Sequence, residues 1–254
     1  MRMLVVNERN LFDDCPLHRK GHYLHVPWKK NYTNPQEYPQ CPQEALKVVH
    51  IDQHILVVDK PAYLPVENTQ HIKDSVVSRC RRLYEPIHHV AHRLDWETSG
   101  LLVLARTVEA HKSLSRQFEK REVAKQYVAD LEVPPPASNG EIHLPLVPDI
   151  ANPPLQCIDL EGGKPSVTAW RSLGGCRVEL EPLSGRRHQL RLHMLAIGCP
   201  IVGDSLYSSN YNKFSRRLHL HAIRISFVHP ANGGKVQLES APPFAPLHGE
   251  TLSM

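Results

Sequence analysis

The sequence predicts an α+β domain built on a largely antiparallel β-sheet. Segments with strand character outnumber those with helical periodicity, and they do not alternate with helices in a regular βαβ repeat. The stretch LKVVHIDQHILVVDKP indicates two strands joined by a short turn. Near the C-terminus, residues 218–228 alternate as a strand with one exposed face does, and residues 235–239 supply its hairpin partner.

The first 45 residues predict a different kind of structure from the rest. They contain five prolines and show little periodicity, so we expect residues 1–45 to form an irregular arm. The main domain is expected over residues 46–245, with a C-terminal tail at 246–254. Its first hairpin joins strands at 46–51 and 55–59, and Pro61 ends the pairing.

The next elements alternate between helix and strand. Residues 74–84 predict a helix with Asp74 as N-cap, because apolar residues recur near one face. The aliphatic run at 101–105 is typical of a buried strand. Thr107 is then expected to cap a helix, and residues 123–131 return as a strand.

The C-terminal half begins with a passage, residues 140–163, that we expect to be rich in loops. Strands are predicted at 166–172 and 177–182. RRHQLRLHMLAIG predicts the strongest helix of this half, which Gly198 and Pro200 bring to an end.

Composition narrows the class of protein. The 254 residues contain 30 Lys and Arg against 26 Asp and Glu, so a polyanionic partner is permitted but not required. No run approaches the roughly 18 apolar residues of a membrane span, and no signal or transit peptide is recognisable, so we expect an intracellular protein that does not enter the membrane. The cytoplasm is the first expectation, with nucleus and organelle left open.

Cysteine and histidine spacing argues against a metal site. The six cysteines form no C-x-x-C pair, which is typical of reduced thiols. Cys15, His18, His22 and His25 lie close in sequence, but their spacing matches no common zinc pattern. We therefore expect no metal.

HRLDWETSGLL, at residues 92–102, holds the acid Asp95 between apolar stretches, beside Arg93. The residues alone leave several explanations open. A structural ion pair is one; a glycosidase would need a second carboxylate, for which only the neighbouring Glu97 offers itself. Ser99 does not stand in a G-x-S-x-G elbow. Phosphate-binding and dinucleotide-binding glycine loops are also missing, since GGK at Gly162 lacks the spacing.

The same segment resembles the catalytic motif of the RluA-type pseudouridine synthases, in the RsuA/RluA superfamily, which read HRLD-x-x-TSG before an aliphatic strand. Other segments are similar to family motifs in the same order along residues 46–245. They are VVDKP at 57–61, AKQYVA at 124–129, LSGRRHQLRLHMLAIGCPIVGD at 183–204 and RLHLHA at 217–222. PLVPDIANPP and GKPSVT are most similar to the branch that acts on both ribosomal and transfer RNA.

The resemblance implies the pseudouridine synthase fold, with a basic active-site cleft, and isomerisation of uridine in RNA without cofactor, nucleotide or metal. By motif position, Asp95 is the catalytic carboxylate and Arg191 its guanidinium partner, which would keep the acid ionised although burial disfavours charge. Tyr127 would stack on the target base and is a candidate for proton transfer. Leu190 would line the pocket, and Arg93 would help to extrude the uridine.

The remaining motif residues are expected to shape the site or to bind RNA. His92 is counted among the RNA-binding residues, although shaping the loop is its favoured role, and Thr98, Ser99 and Gly100 would form the turn that presents the acid. The residues expected to contact the RNA around the pocket, the arginines through phosphates, are Arg186, Arg187, His188 and Arg216.

Two departures and two alternatives accompany the resemblance. Residues 1–45 are too short and too proline-rich to be the small S4 RNA-binding domain that often precedes this catalytic domain, and Arg187 stands where many relatives have Thr or Ser. An inert RNA-binding or chaperone protein on the same fold is one alternative. An enzyme that releases free uracil is the other. The resemblance favours a monomer.

Overall fold

The computed structural model describes residues 3–7, 16–26, 40–87, 89–211 and 213–246. The chain divides into two compact units. Unit 1 comprises Met1–Tyr38, Val128–Leu220 and Phe244–Met254, and unit 2 comprises Pro39–Tyr127 and His221–Pro243. Two of the four points at which the chain passes between the units lie within strands, β7 (Ala124–Asp130) and β13 (Leu220–Val228). Both units mix helix with largely antiparallel sheet, so the predicted α+β class is confirmed.

Unit 2 is a sheet with strand order β14-β13-β6-β5-β4 and a helix on each face. All its neighbouring strands are antiparallel except β13 and β6, which run parallel. Its elements are β4 (Lys47–Ile51), β5 (Ile55–Lys60), α1 (Val76–Leu83), β6 (Ser99–Ala105), α2 (Val108–Glu119) and β14 (Lys235–Glu239).

Strand β6 is the centre of this unit, and all seven of its residues are buried. Alternate residues of a strand face opposite sides. Leu102 and Leu104 accordingly pack with α1, whereas Leu101 and Val103 pack with α2. A strand that is buried on both faces reads as a continuous apolar run, which is why the sequence predicts it well.

Helix α1 begins one residue later than the sequence predicts. Ser75, not Asp74, is the N-cap, because its hydroxyl accepts a hydrogen bond from the N–H of Ser78 while the Ser78 hydroxyl accepts one from the N–H of Ser75. The Asp74 carboxylate instead binds the Arg79 guanidinium through two hydrogen bonds of 2.8 and 2.6 Å. For α2 the predicted cap, Thr107, is confirmed.

Unit 1 contains two sheets in its described residues. One has the strand order β1-β8-β11-β12, in which β1 and β8 are parallel and the other pairs are antiparallel; the other is antiparallel, with order β2-β3-β10-β9. The elements are β1 (Leu4–Asn7), β2 (His18–Lys20), β3 (Tyr23–His25), β8 (Asn139–His143), β9 (Leu146–Pro148), β10 (Gln156–Asp159), β11 (Val167–Gly174), β12 (Arg177–Pro182) and α3 (Gln189–Ala196).

Two parts of unit 1 are more regular than the sequence predicts. Within residues 140–163, expected to be loops, lie β9, β10 and most of β8. Within residues 1–45, expected to be irregular, the described residues include β1, β2 and β3. All these strands have three to five residues, too few for an alternating pattern to stand out. The predicted limits of the main domain, 46 and 245, stay a prediction.

None of the helices in the described part of the chain combines the length and the apolar composition that crossing a bilayer requires.

Candidate active site

Asp95 lies half-buried in the acid loop, residues 92–98, which leads into β6. Main-chain hydrogen bonds hold this loop. The N–H of Tyr63 donates to the carbonyl of Trp96 at 2.8 Å, and the N–H of Thr98 donates to the carbonyl of Asp95 at 3.2 Å. The backbone that carries the carboxylate is therefore anchored at Asp95 and directly after it.

A buried lysine adds a third anchor. Lys60, at the end of β5, has no exposed surface, and its ammonium group donates to the carbonyls of Pro61, Leu64 and Trp96 at 2.9, 2.9 and 3.1 Å. Three carbonyl acceptors match the three donors of an ammonium group. Lys60 belongs to the VVDKP segment, whose pattern predicts no role for the lysine, and its contacts show that it ties the acid loop to β5.

The turn from the acid loop into β6 requires a glycine. Gly100 has φ +115°, and a Cβ atom there would lie 2.4 Å from the carbonyl oxygen of Ala222 on the parallel strand β13. The adjacent Ser99 hydroxyl is hydrogen-bonded to Nδ1 of His221 at 2.8 Å. Ser99 and Gly100 thus fix β6 against β13 directly after the acid loop.

His92 supports the loop from its N-terminal end. Its Nε2 accepts a hydrogen bond of 3.0 Å from the N–H of Val103, and its ring stacks on Phe118 of α2 with centroids 4.4 Å apart. Burial, with a smaller contribution from the charge of Lys125, lowers the pKa of His92 to about 3. The imidazole is consequently neutral at neutral pH, which favours a role in shaping the loop.

Tyr127 lies close to Asp95 within unit 2. Burial raises the pKa of the Tyr127 phenol, and the nearby charge of Asp95 raises it further. The ring packs against the apolar cluster that includes Leu94, next to the acid in sequence. Arg93, on the other side of Leu94, is exposed to solvent. The structure therefore brings the predicted acid and the predicted tyrosine together, with the predicted base-extruding arginine beside them.

Arg191 lies in unit 1, in the arginine segment, residues 184–193, which contains the start of α3. Only 2% of its surface is exposed. Its guanidinium binds the carboxylate of Asp204 through two hydrogen bonds, with Nε at 2.8 Å, and lies 5.4 Å from the centre of the Tyr207 ring. Asp204 also accepts hydrogen bonds from the N–H groups of Leu206 and Tyr207. Asp204, for which the sequence predicts no role, therefore orients the predicted catalytic guanidinium.

Side chains on one face of α3 attach the arginine segment to β11. Gln189 donates to Val167 and Thr168 at 2.9 and 3.0 Å and accepts from Ser184 at 2.7 Å. His193, one turn later, accepts a hydrogen bond from the Thr168 hydroxyl through Nδ1 and donates to a backbone carbonyl through Nε2, both at 2.9 Å. Burial lowers the pKa of His193 to about 4.

The end of α3 matches the prediction closely. Gly198, with φ +77°, follows the C-cap residue Ile197, and its N–H donates to the carbonyl of Leu195. The N–H of Cys199 donates to the carbonyl of Met194. This pair of bonds is a Schellman motif, with glycine at the position that requires a left-handed conformation.

The other predicted binding residues of unit 1 divide into two groups. His188 and Leu190 are buried, and Nδ1 of His188 is hydrogen-bonded to the hydroxyl of Tyr207 at 2.8 Å. Arg187 and Arg216 are exposed, and Arg186 is half-buried. Two of the three arginines are thus accessible to solvent, and their contact with RNA stays a prediction, whereas His188 holds the ring that lies beside Arg191.

The predicted pairing of Asp95 with Arg191 joins residues of different units and stays a prediction. The cysteine and histidine cluster near the N-terminus lies partly outside the described residues, because Cys15 is among those not described. His22 and His25 are within ion-pair distance of Asp159 and Asp149, at 3.6 and 3.0 Å. The described residues contain no group of three or more side chains arranged to hold a metal ion.

Comparison with known proteins gives consistent results. A model of the RNA pseudouridylate synthase family matches residues 54–196. The dual-specificity RNA pseudouridine synthase RluA of Escherichia coli K12 is 41% identical over 224 residues, which cover 85% of this chain and 99% of the relative. RluA of Vibrio parahaemolyticus is 44% identical over 72% of this chain and 78% of its own length. The solved structure of human RNA pseudouridylate synthase domain containing 1 aligns with TM-score 0.71 and 28% identity, covering 82% of this chain and 88% of that one.

Proposed function

The chain belongs to the RNA pseudouridylate synthase family, and from that premise we propose that Asp95 is the carboxylate with which this isomerase converts uridine to pseudouridine in RNA. The observation that carries the proposal is the position of Asp95, in an acid loop anchored by Lys60 and β13 and close enough to Tyr127 for its charge to raise the pKa of the phenol.

The reaction breaks the bond between N1 of uracil and C1′ of the ribose and forms a bond between C5 and C1′. C5 loses a proton and N1 gains one, so no net oxidation occurs and no cofactor is needed. Asp95 would act either by attacking C1′ or by removing a proton from the sugar. Both roles require an ionised carboxylate. As the partner of Asp95, Arg191 would keep the carboxylate ionised.

Tyr127 would stack on the target base. Since its pKa is raised, the phenol stays protonated at neutral pH. It can assist removal of the C5 proton only if it passes on its own proton as it accepts the other. Leu190 would line the pocket opposite, and exposed Arg93 would fill the space that the extruded nucleotide leaves in the RNA.

We assign ribosomal and transfer RNA as the substrate class, because PLVPDIANPP and GKPSVT resemble the branch that acts on both, and the name dual-specificity RNA pseudouridine synthase, which the RluA relatives carry, agrees with it. Arg186, Arg187 and Arg216 would supply phosphate contacts that weaken as salt rises. We expect the protein to act inside the cell, in the cytoplasm, since both RNAs are present there. We expect it to act as a monomer, as the family resemblance favours.

Asp95→Asn tests the proposal. It keeps the size of the side chain but removes its charge, so tritium release from RNA carrying C5-labelled uridine should fall by on the order of 10³-fold or more. RNA binding should stay within about twofold of wild-type, because phosphate contacts dominate affinity. Glu109→Gln, which removes an exposed acid from α2 in the same unit, is the matched control and should retain wild-type turnover.

Substantial turnover in Asp95→Asn would contradict the catalytic role. A wild-type protein that binds RNA but releases no tritium would support the inert alternative. Detection of free uracil in place of pseudouridine would support the base-releasing enzyme.

A further inference from the structure

Strand β7 places Lys125 on the same face as Tyr127, because alternate residues of a strand share a face. Gln126, between them, is directed the other way and is hydrogen-bonded to Arg224. Two residues of strand span about 6.6 Å. Lys125 is therefore about 6.6 Å along β7 from Tyr127, which lies close to Asp95.

Lys125 is half-buried, and within the described part of the chain its ammonium group has no hydrogen bond and no ion pair. Burying an unpaired charge is unfavourable. Burial lowers the pKa of Lys125, and repulsion from Arg121 lowers it further. An anion bound between two cations relieves their repulsion, so Lys125 and Arg121 can together stabilise a bound phosphate.

Arg121 and Lys125 lie next to the acid loop. His92 of that loop stacks on Phe118, and the N–H of Arg121 donates to the carbonyl of Phe118 at 3.2 Å. Arg93, also in the loop, is exposed. The side chains of Arg93 and Arg121, like that of Lys125, form no ion pair among the residues the structure describes. Arg121 and Lys125 thus bring positive charge to the part of unit 2 where the acid loop meets α2 and β7.

We infer that Lys125, assisted by Arg121, binds the phosphodiester adjacent to the target uridine and holds the strand while the base enters the site beside Tyr127. The inference rests on the proposed function, since it takes the base to bind at Tyr127. It adds a phosphate contact in unit 2 to those assigned to the arginines of unit 1.

The salt dependence of RNA binding tests this contact. A labelled, unmodified transfer-RNA transcript is the probe, and Lys125→Met keeps the length of the side chain while removing its charge. The dissociation constant should rise about tenfold at low salt, and the slope of log K against log salt should become shallower by about 0.7 to 0.9. Lys125→Arg, which keeps the charge, should retain the wild-type slope and shows that the site tolerates a change of side chain.

Lys235→Met is the matched control. Lys235 is exposed and pairs with Val228, seven residues along β13 from His221, which pairs with Ser99 after the acid loop. Seven residues of strand span about 23 Å, so this lysine is separated along β13 from the pairing with β6 beside the acid loop. Its removal should leave the slope unchanged. An unchanged slope for Lys125→Met would overturn the inference, and it would do so even if turnover fell.

Replacing single phosphates by neutral methylphosphonates locates the contact. Neutralising the phosphate next to the modified uridine should weaken binding of wild-type protein but have little further effect on Lys125→Met. Equal losses in both proteins would contradict the assignment to this phosphate. All these measurements follow binding and can be made with Asp95→Asn, so failure of the proposed reaction and failure of the phosphate contact give different results.

Discussion

The acid loop and the arginine segment each present one of the predicted catalytic charges, but they are held in different ways. The acid loop is fixed mainly through its backbone, by the N–H of Tyr63, the ammonium group of Lys60 and the close contact of Gly100 with Ala222. The arginine segment is fixed by side chains that bind other side chains, such as Gln189 with Ser184 and Arg191 with Asp204.

This difference determines which substitutions each region tolerates. A loop held by its backbone tolerates many side-chain substitutions. It does not tolerate a change in its backbone conformation or an added atom where it closely approaches the neighbouring strand. A segment held by a buried polar network depends on the identity of each member, because removal of one group leaves its partner buried and unsatisfied. The two regions should therefore respond to different kinds of substitution.

The largest effect is expected for Asp204→Ala, in the arginine segment's network. Asp204 has no exposed surface, and its removal leaves the guanidinium of Arg191 buried without its acid. The free energy of unfolding should fall by about 3 to 5 kcal/mol, as measured by urea denaturation. Turnover should fall as well, since Arg191 would lose its orientation.

Glu179→Ala is the control for this prediction. Glu179 binds Arg171 at 3.1 Å in the same unit, but Arg171 is 61% exposed. Exposed ion pairs contribute less than about 1 kcal/mol, so this variant should unfold almost as wild-type does. Equal losses for the two variants would mean that burial of the Arg191 pair has no energetic consequence.

A somewhat smaller effect is expected for Gly100→Ala, which tests the backbone of the acid loop. The new Cβ would lie 2.4 Å from a backbone oxygen, and φ +115° is itself unfavourable for alanine. Conformational strain and steric overlap together should cost about 2 to 4 kcal/mol. Gly174→Ala separates the two causes, because Gly174 has φ +107° but no atom within 4 Å of the added Cβ. If both variants lose the same stability, the close approach to Ala222 has no importance.

The sequence predicts the fold best where burial is simplest. β5 and β6 are long apolar runs because both faces of their sheet are covered, and Thr107 is found because its cap acts within three residues. β9 and β10 are missed because three or four residues carry no clear period. Asp74 is mistaken for a cap because local sequence does not reveal that its carboxylate binds Arg79.

The candidate site divides in the same way. Asp95, Tyr127 and Arg191 are found through motifs that resemble a known family, whereas the groups that hold them are not. Lys60 reads as an ordinary charged strand end, although it is fully buried. Asp204 lies at the end of a motif that the sequence analysis quotes, 13 residues after Arg191. An acid at that distance has no predictable partner until the chain has folded.

The smallest predicted effect is a pH dependence of stability in the arginine segment, to which His193 belongs. Its folded-state pKa of about 4 is below its ordinary value of 6.5. Above pH 6.5 the histidine is neutral in both states; as the pH falls from 6.5 to about 4, only the unfolded chain binds the proton, so stability decreases. From pH 7 to pH 5 this loss in the free energy of unfolding amounts to about 2 kcal/mol.

His193→Gln tests this dependence in urea titrations at the two pH values. Between pH 7 and pH 5 the variant should lose about 2 kcal/mol less stability than the wild-type protein loses. Thr168→Val removes the hydroxyl partner but keeps the imidazole, so it should lower stability at both pH values and retain the wild-type dependence. A histidine variant with the wild-type dependence would show that His193 is not kept neutral by burial.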